Sequence, residues 1–524
     1  MKKQIETKNL DHLGIIAGII DDLQIENIVD SLIEKDAREK ISAGKIIKAI
    51  IINGLGFLSK PLYLFPKFFE DKPVEKLLGN GIKADEINDD KIGRVMDKLY
   101  DVSLELLWTK IGLNTIEKFE ICTKFSHLDS TSISVEGEYN NEKNAEETGD
   151  KIIKITQGYS RDKRPDLKQF MMDLMVSSDG DVPTFMRIGN GNESDKTIFP
   201  LFILDYQKNF DISTIYVADS AFYSAKNIHT LKDLFWISLV PMTIKKAQEI
   251  VRKTGEWVIS EISGYKYRES TVNYHGIEQK WLLVESEKRK ESDLLKLGEK
   301  IKKEKEEIED KIEKWGRLKR KKKEYLEKEI TTMTAKLKYH KLSTINYQEI
   351  EVKKDKISYT CEVKYQELTE KIEDEKQKAG QFILATNVLD KDELATEEIL
   401  KEYKNQQSCE RGFRFIKDPL FLASYVFVKN PKRVEVMGMI MGLCLLVYSI
   451  GQRMIRKELE KKKERIKNQV NKFTNKPTLR WIFMVFQGVH QITMGGEEWI
   501  NNLNEERKKI LEYFSLNCQK YYCC

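Results

Sequence analysis

FSHLDSTSISVEG, residues 125–137, is the first of several short β-like runs in the middle of the chain. The runs that follow it, with one helical pattern among them, are FMMDLMVSS (170–178), VPTFMRI (182–188), the helical TIFPLFILDYQKNF (197–210), IYVAD (215–219) and FWISLV (235–240). β-Branched and aromatic residues favour strands, and turn residues separate the runs. The order β-β-β-α-β-β predicts a mixed α/β layered domain rather than a helical array.

The sequence before this core has a helical pattern. From about residue 11 to 113, apolar residues recur at intervals of three and four, as in GIIAGIIDDLQIENIVDSLI (14–33). This spacing places apolar side chains on one face of a helix. We therefore expect a separate N-terminal helical domain.

The sequence after the core begins with a highly charged segment, residues 287–330. Leu294, Ile301, Ile308 and Trp315 repeat every seven residues among Lys and Glu. So narrow an apolar stripe predicts a long solvated helix or a helical hairpin. A β-like run, QFILATN (381–387), precedes a helix pattern over residues 397–417, and the last seventy residues are predicted to be helical.

Composition excludes several classes of protein. The 524 residues are 40% hydrophobic and 33% charged, which indicates a soluble globular protein of several domains. The net charge is only +5, so any affinity for nucleic acid must come from local clusters of basic residues. The apolar run VMGMIMGLCLLVYSI (436–450) is shorter than the roughly 20 residues of a membrane-spanning helix, so we expect a buried core helix.

The N-terminus and the cysteines predict a cytoplasmic protein. The start MKKQIETKNLDHLG lacks the apolar core of a secretory signal. The cysteines are scattered singly apart from Cys523 and Cys524, which fits reduced thiols and no structural zinc site.

Two aspartates each lie on or at the end of a predicted strand: Asp129 in SHLDSTS and Asp219 in YVADSAFYS. Sites collect at strand ends in open sheets, and Mg²⁺ prefers carboxylate oxygens. Asp followed by Ser after a strand is also an ordinary turn or helix cap. On these residues alone, both interpretations stay open.

A third group lies in EYKNQQSCERGFRFIKDP (402–419), where Tyr403, Glu410 and Lys417 are spaced by seven residues. On one continuous helix, this spacing places the three side chains on one face. Glu410 could complete a carboxylate cage around a metal ion, while Tyr403 and Lys417 could bond to phosphate oxygens. An ordinary surface helix with spaced charges is the alternative.

Together these motifs resemble the bacterial insertion-sequence transposases of the DDE class, in the IS-four-like group. Asp129, Asp219 and Glu410 match the acidic triad of that family in order and context. Its helix signature is matched by Tyr403, Glu410 and Lys417, with Gln406 where the family usually has Arg. Further matches are GYSRDKRPDLKQF (158–170), GNGNESD (189–195) and ERGFRFIKDPLF (410–421).

The resemblance implies an RNase H-like catalytic domain that is interrupted by a β-rich and helical insertion. We expect an N-terminal helical domain for DNA binding or assembly and a helical C-terminal tail. The expected boundaries are 1–118 for the N-terminal domain, 119–241 and 380–455 for the two parts of the catalytic domain, 242–379 for the insertion and 456–524 for the tail.

The resemblance also implies a reaction. Asp129, Asp219 and Glu410 would hold two Mg²⁺ ions, for which Mn²⁺ is an acceptable substitute. The enzyme would cleave double-stranded DNA at the inverted ends of its element and join the 3′-hydroxyl ends to target DNA. Holding two ends together implies a homodimer or a larger synaptic complex, with no membrane involved.

Basic and aromatic residues complete the expected DNA-binding surface. The expected phosphate contacts are Tyr403, Arg411, Arg414, Lys417, Arg161, Lys163, Arg164 and Lys168. Trp257 and Trp281 in the insertion could stack on a displaced base, although core packing is the simpler role. His127 is expected to be a packed residue outside the site.

Three alternatives remain open at this stage. The first is a DNA endonuclease of the same fold without strand transfer, and the second is a DNA-binding descendant of a transposase that no longer cleaves. The third is a coiled-coil structural protein, suggested by the charged segment, but this cannot explain the aspartates that the predicted strands carry.

Overall fold

The computed structural model describes residues 5–34, 39–57, 60–61, 64–139, 152–317, 322–353, 356–418 and 430–523. The chain forms two compact units: residues 1–238 with 398–524, and residues 239–397. The N-terminal helices and the first sheet thus belong to one compact unit. The finer division into domains expected above stays a prediction.

The N-terminal region is helical after one short strand, as predicted. The elements are β1 (Ile5–Asn9), α1 (Leu13–Asp22), α2 (Ile25–Leu32), α3 (Ala43–Leu55), α4 (Phe65–Phe69), α5 (Val74–Leu78), α6 (Asp89–Val102) and α7 (Leu104–Lys118). Side chains cap the helices where the sequence provides them: the Ser42 hydroxyl accepts from the backbone N–H of Lys45, and Asn88 does the same for Lys91. Helices α1 and α3 are buried along most of their length because their apolar residues are not confined to one face.

The sheet of the first unit confirms the predicted mixed α/β class. Its elements are β2 (Phe125–Val135), β3 (Lys168–Ser177), β4 (Pro183–Gly189), α8 (Asp195–Phe210), β5 (Ile215–Ala218), α9 (Ala225–Thr230) and β6 (Phe235–Val240). The strand order is β4-β3-β2-β5-β6. Strands β2, β3 and β4 pair antiparallel, whereas β5 is parallel to β2 and to β6, which is the RNase H-like arrangement. The short helix α9 is an addition to the predicted order, and its six residues are too few for a periodic signal.

The second unit contains four further antiparallel strands, a long β-hairpin and a helical hairpin. Its elements are α10 (Lys245–Arg252), β7 (Val258–Ile259), β8 (Tyr265–Tyr274), β9 (Ile277–Ser286), α11 (Glu287–Arg317), α12 (Lys323–Thr334), β10 (His340–Lys353), β11 (Lys356–Glu367), α13 (Thr369–Lys378) and β12 (Gln381–Thr386). Strands β12, β9, β8 and β7 lie side by side in that order and pair antiparallel. The sequence did not reveal the long hairpin β10–β11.

The charged segment forms a helical hairpin of α11 and α12. Only the C-terminal half of its heptad stripe is core: Ile308 and Trp315 are fully buried against a cluster that includes Leu326, Ile330 and side chains of β10 and β11. Leu294, at the other end of the stripe, is 36% exposed. Residues that looked like a coiled-coil seam therefore pack within their own unit.

The predicted helix over residues 397–417 is two helices, α14 (Thr396–Asn405) and α15 (Gln407–Ile416). The single-helix prediction is wrong because backbone bonds tighten the chain at Gln406: its N–H donates to Tyr403 O over 3.2 Å, and Cys409 N–H donates to Gln406 O over 3.2 Å. These i→i+3 bonds are of the 3₁₀ type and change the helical phase. Tyr403, Glu410 and Lys417 therefore do not share one continuous helix, and Lys417 is the C-cap residue of α15.

Helix α16 (Pro431–Lys462) confirms the predicted core helix. It is long and apolar enough to cross a membrane, but 83% of its most apolar window is buried inside the protein. It contacts β4 and the N-terminal helices α3 and α6. Cys444 on this helix is buried, and each cysteine that the structure describes is a free thiol.

The C-terminal region combines the expected helices with two short hairpins. Its elements are β13 (Ile466–Lys467), β14 (Phe473–Thr474), α17 (Leu479–Val485), β15 (His490–Met494), β16 (Glu497–Asn501), α18 (Glu505–Leu511) and α19 (Leu516–Gln519). Strand β15 pairs with both β16 and the N-terminal β1. Helix α19 and the following 3₁₀ turn contact α1. The two ends of the chain are therefore packed together.

Candidate active site

Asp129 and Asp219 lie side by side in the first sheet. The last paired residues of the parallel strands β2 and β5 are His127 and Val217, and each aspartate lies two residues further along its strand path. Residues at equivalent positions of neighbouring parallel strands are close, and the negative charge of Asp219 accordingly raises the pKa of Asp129. The structure therefore brings these two predicted site residues together.

Burial shapes the chemistry of both carboxyl groups. It raises the pKa of Asp129 to about 6, although Arg161 and the backbone N–H of Ser130 oppose the rise. The N–H of Ser130 donates to Asp129 Oδ1 over 2.8 Å. Burial also raises the pKa of Asp219, against a 2.9 Å hydrogen bond from the backbone N–H of Ala221. A cation between the carboxylates would favour their ionised forms.

The guanidinium group of Arg161 is a cation that lies beside Asp129. Its Nη1 lies 3.3 Å from Asp129 Oδ1 and also donates to Ser130 O, while Nη2 pairs with Asp195 Oδ2. The backbone N–H of Arg161 donates to Ser132 Oγ over 3.0 Å, which fixes this residue beside β2. Arg161, predicted as a phosphate contact, is thus placed among carboxylates.

Asp195 is a site residue that the sequence reasoning missed. It begins α8, and its charge raises the pKa of Asp219, as does burial, which has the larger effect. Its position in GNGNESD, directly before a helical pattern, was the available signal. Three carboxylates and one guanidinium therefore form the centre of the candidate site.

A buried polar network connects β2 to β3 and β4. The Ser130 hydroxyl donates to Asp173 Oδ1 over 2.5 Å, and Asp173 is opposite Ser130 on β3. Arg187 on β4 donates to Asp173 Oδ2 from Nε at 2.9 Å and Nη2 at 2.6 Å. Arg187 also pairs with Glu193. The network joins three strands next to Asp129.

Glu410 lies on α15, which packs on β2 close to Asp129. The thiol of Cys409 donates to His127 O over 3.3 Å, and the Gln406 amide donates to Leu128 O over 3.4 Å. The side chain of Glu410 is exposed, and within the described residues it has no hydrogen bond or ion pair with either aspartate. Its role as the third acid stays a prediction.

His127 is a packed residue, as expected, but it has a specific partner. Its Nε2 lies 3.2 Å from Glu402 Oε2, and both side chains are almost fully buried. The Asn405 amide donates to the other oxygen of Glu402 over 3.2 Å. This pair ties β2 to α14 and thereby helps to set the position of the following helix.

The other residues predicted on the helix lie at the surface. Arg411 pairs with Asp181 through Nε at 3.1 Å and Nη2 at 2.7 Å, and Lys417 pairs with Asp162 over 2.7 Å. Arg414 is exposed, and Tyr403 is half-buried. Exposed ion pairs contribute little to stability, so these cations can exchange partners.

The basic segment around Arg161 is only partly free to contact a ligand. Lys163 is exposed, and Arg164 is an exposed partner of Asp166 at 2.7 Å. Lys168 instead donates to the backbone carbonyls of Glu138 and Tyr139. Its ammonium group therefore ties the start of β3 to the segment that follows β2.

The two tryptophans of the insertion differ in environment. Trp281 is fully buried on β9, which fits core packing. Trp257 is half-buried and lies near two cations, with Lys266 Nζ 4.8 Å and Arg268 Cζ 4.5 Å from its ring centroid. The ring of Trp257 is therefore already engaged by cation–π contacts.

The donor groups fit a hard divalent cation, but they are not gathered as a complete cage. Asp129 and Asp219 offer adjacent carboxylate oxygens, which is the ligand type that Mg²⁺ prefers. In the part of the chain that the structure describes, no group of three or more His, Cys, Asp or Glu side chains is arranged to hold a metal ion. The arginine occupies the position beside Asp129 instead.

Two family models match this chain. Residues 122–447 match the family model of the transposase DDE domain, and residues 5–113 match a domain of unknown function, DUF4277. Among curated proteins there is no match. A solved piggyBac transposase synaptic complex with hairpin DNA is similar to 92% of this chain and 82% of that chain, with 11% identity and a TM-score of 0.37. The family match includes the elements that carry Asp129, Asp219 and Glu410.

Proposed function

This chain belongs to the transposase DDE domain family, and on that premise we propose that it is a Mg²⁺-dependent DNA transposase. It binds the inverted ends of its own insertion sequence, cleaves DNA phosphodiester bonds there and joins the freed 3′-hydroxyl ends to target DNA. The observation that carries this proposal is the placement of Asp129 and Asp219 at equivalent positions of the parallel strands β2 and β5.

Asp129 and Asp219 hold the divalent ions in this proposal, with Glu410 as the third acid. When bound, two such ions activate a water or a 3′-hydroxyl for attack on phosphorus and stabilise the departing oxygen. Burial of the aspartates excludes water and strengthens their attraction for cations. The packing of Cys409 against β2 keeps the Glu410 helix beside the sheet.

DNA phosphates are contacted by the surface cations in this proposal. Arg411 and Lys417 exchange Asp181 and Asp162 for phosphate oxygens, which costs little because both pairs are solvent-exposed. Arg414, Lys163 and Arg164 add charge on the surface. Such contacts supply affinity and register rather than sequence readout. Two ends are held together by a homodimer or a larger assembly.

The test is cleavage and joining of DNA that carries the ends of the element. We expect Asp129→Asn, Asp219→Asn and Glu410→Gln each to abolish Mg²⁺-dependent cleavage, with end binding retained in a mobility-shift assay. Glu505→Gln, an exposed acid on α18, is the matched control and keeps both activities. Cleavage by either aspartate variant would reject the site.

The product of the same assay separates the nearest alternative. An endonuclease of this fold gives cleaved ends without joined products, whereas a transposase gives both. Binding without any cleavage by the unaltered protein would identify a non-catalytic descendant.

A further inference from the structure

Arg161 is a cation inside the cluster formed by the carboxylates of Asp129, Asp195 and Asp219. Its guanidinium group bridges two segments that are distant in sequence, since it contacts Asp129 on β2 and Asp195 at the start of α8. Its side chain is 29% exposed, so it is partly screened from solvent. A charge placed in this way affects every other cation that approaches Asp129.

The two carboxylate contacts of the guanidinium differ, and Nη1 also donates to the backbone carbonyl of Ser130. Asp195 receives Nη2 in a close ion pair, whereas Asp129 receives Nη1 at 3.3 Å, at the long end of the hydrogen-bond range. The root of the side chain is fixed, because the backbone N–H of Arg161 donates to Ser132 Oγ. The guanidinium can therefore stay bound to Asp195 through Nη2 while Nη1 releases Asp129 together with the Ser130 carbonyl.

The charges of the cluster make such a departure depend on metal. Asp129, Asp195 and Asp219 bring three carboxylates, and Arg161 compensates for one of them. A divalent ion on Asp129 and Asp219 would repel a guanidinium group that remained beside Asp129. The two cations therefore compete for one carboxylate oxygen.

We propose that Arg161 is a positioning residue that holds Asp129 when no metal ion is bound and yields that carboxylate to a divalent cation, while Asp195 retains the guanidinium group. This inference rests on the proposed function, because it concerns the same pair of aspartates. It assigns Asp195 to the site as the acid that keeps Arg161 within reach.

The test measures metal affinity of the full chain without DNA. Mn²⁺ is the probe, and its binding is followed by the loss of the free-ion signal in electron paramagnetic resonance, with the Asp129→Asn variant defining binding elsewhere on the surface. We expect Arg161→Gln to bind Mn²⁺ about tenfold more tightly than the unaltered protein, because a competing charge is gone. Arg161→Lys keeps the charge and is expected to bind like the unaltered protein.

Arg164→Gln is the matched control. It removes the same charge three residues away, where the side chain is exposed and paired with Asp166, and Mn²⁺ affinity is expected to stay unchanged. The sign of the effect separates positioning from simple structural support. Loss of a structural residue would loosen the cluster and weaken Mn²⁺ binding.

Each outcome decides between the two ideas. If the unaltered protein binds Mn²⁺ at Asp129 and Arg161→Gln binds it equally or less tightly, this inference fails and the proposed function stands. If neither protein binds Mn²⁺ beyond the Asp129→Asn background, both fail. Thermal unfolding of each variant checks that folded proteins are compared. Arg161→Lys keeps the charge, so its Mn²⁺ affinity is a second test of the same expectation.

Discussion

At the scale of single residues, the carboxyl group of Glu435 on α16 carries a pH-dependent cost. Burial raises its pKa to about 7, against opposing effects of the Ile153 backbone N–H and Arg187. Its Oε2 has no hydrogen-bond partner among the described residues. A raised pKa means that stability is highest while the group is protonated and falls as pH rises from about 4.5 to about 7.

We therefore expect Glu435→Gln to stabilise the protein in alkaline solution alone. The free energy of unfolding should rise by about 1–3 kcal/mol at pH 8 and stay nearly unchanged at pH 4.5. Urea denaturation at the two pH values measures this. Glu505→Gln, an exposed residue, is the control, and an equal gain at both pH values would contradict the assignment to ionisation.

Part of the candidate site could be predicted from single residues. Asp129 and Asp219 were found because each is an acid on or directly after a predicted strand, and the parallel strands β2 and β5 bring these two positions together. The contact of Arg161 with Asp195 could not be predicted, because it depends on how a loop closes over the edge of β2. A cluster of basic residues looks the same in sequence whether its members face phosphate or carboxylate.

At the scale of secondary-structure elements, the buried ion pair of Asp173 and Arg187 holds β3 to β4. Asp173 is 2% exposed, and it also accepts the Ser130 hydroxyl from β2. We expect Asp173→Ala to lower the free energy of unfolding by about 1–3 kcal/mol, because the buried Ser130 hydroxyl loses its acceptor and Arg187 keeps only Glu193 as its partner. Urea denaturation measures the loss.

Asp166→Ala is the comparison for that prediction. It breaks the ion pair of Asp166 with Arg164, in which both side chains are more than half exposed. The free energy of unfolding should therefore fall by less than about 1 kcal/mol. Equal costs for the two variants would show that Asp173 does not bind the strands together.

Elements were predicted well where burial gives a period and poorly where it does not. The apolar α16 and the strands β2 to β6 have strong patterns, and the structure has them where expected. Strand β10 gave no signal because apolar and polar residues share its exposed positions, where Ile345 and Ile350 lie together with Thr344 and Asn346. The break at Gln406 was hidden because 3₁₀-type bonds need no proline or glycine.

At the scale of the whole first unit, the C-terminal residues close the N-terminal core. Gly18 on α1 lies directly under α19, and a Cβ there would meet Cys518 Cα at 2.3 Å and Asn517 O at 2.6 Å. These are backbone atoms, so a side-chain rotation cannot relieve the conflict. The hydroxyl of Tyr522 also donates to Asp11 O over 2.7 Å.

We expect Gly18→Ala to detach this segment, since even one methyl group has no space. Hydrogen–deuterium exchange should rise in peptides that cover α1 and residues 515–523. Gly298→Ala is the matched control on α11, where an added Cβ meets no atom within 4 Å, and exchange in those peptides should not change. Unchanged exchange in Gly18→Ala would show that the helices can move apart at no cost.

This closure could not be predicted from the sequence. We expected residues 456–524 to form a separate helical tail, because their local pattern shows no link to α1. Ile15 and Tyr522, whose N–H and hydroxyl are hydrogen-bonded, are 507 residues apart. Local periodicity carries no information at that separation.

The same separation bears on how the protein is made. During synthesis, α1 leaves the ribosome long before Cys518 and Tyr522 exist, so the part of this helix that α19 covers stays uncovered while the 507 positions from Ile15 to Tyr522 are translated. A nascent chain that stalls late would hold a formed sheet and an uncovered first helix. Synthesis of residues 516–522 is thus the event that lets the first unit close its N-terminal core.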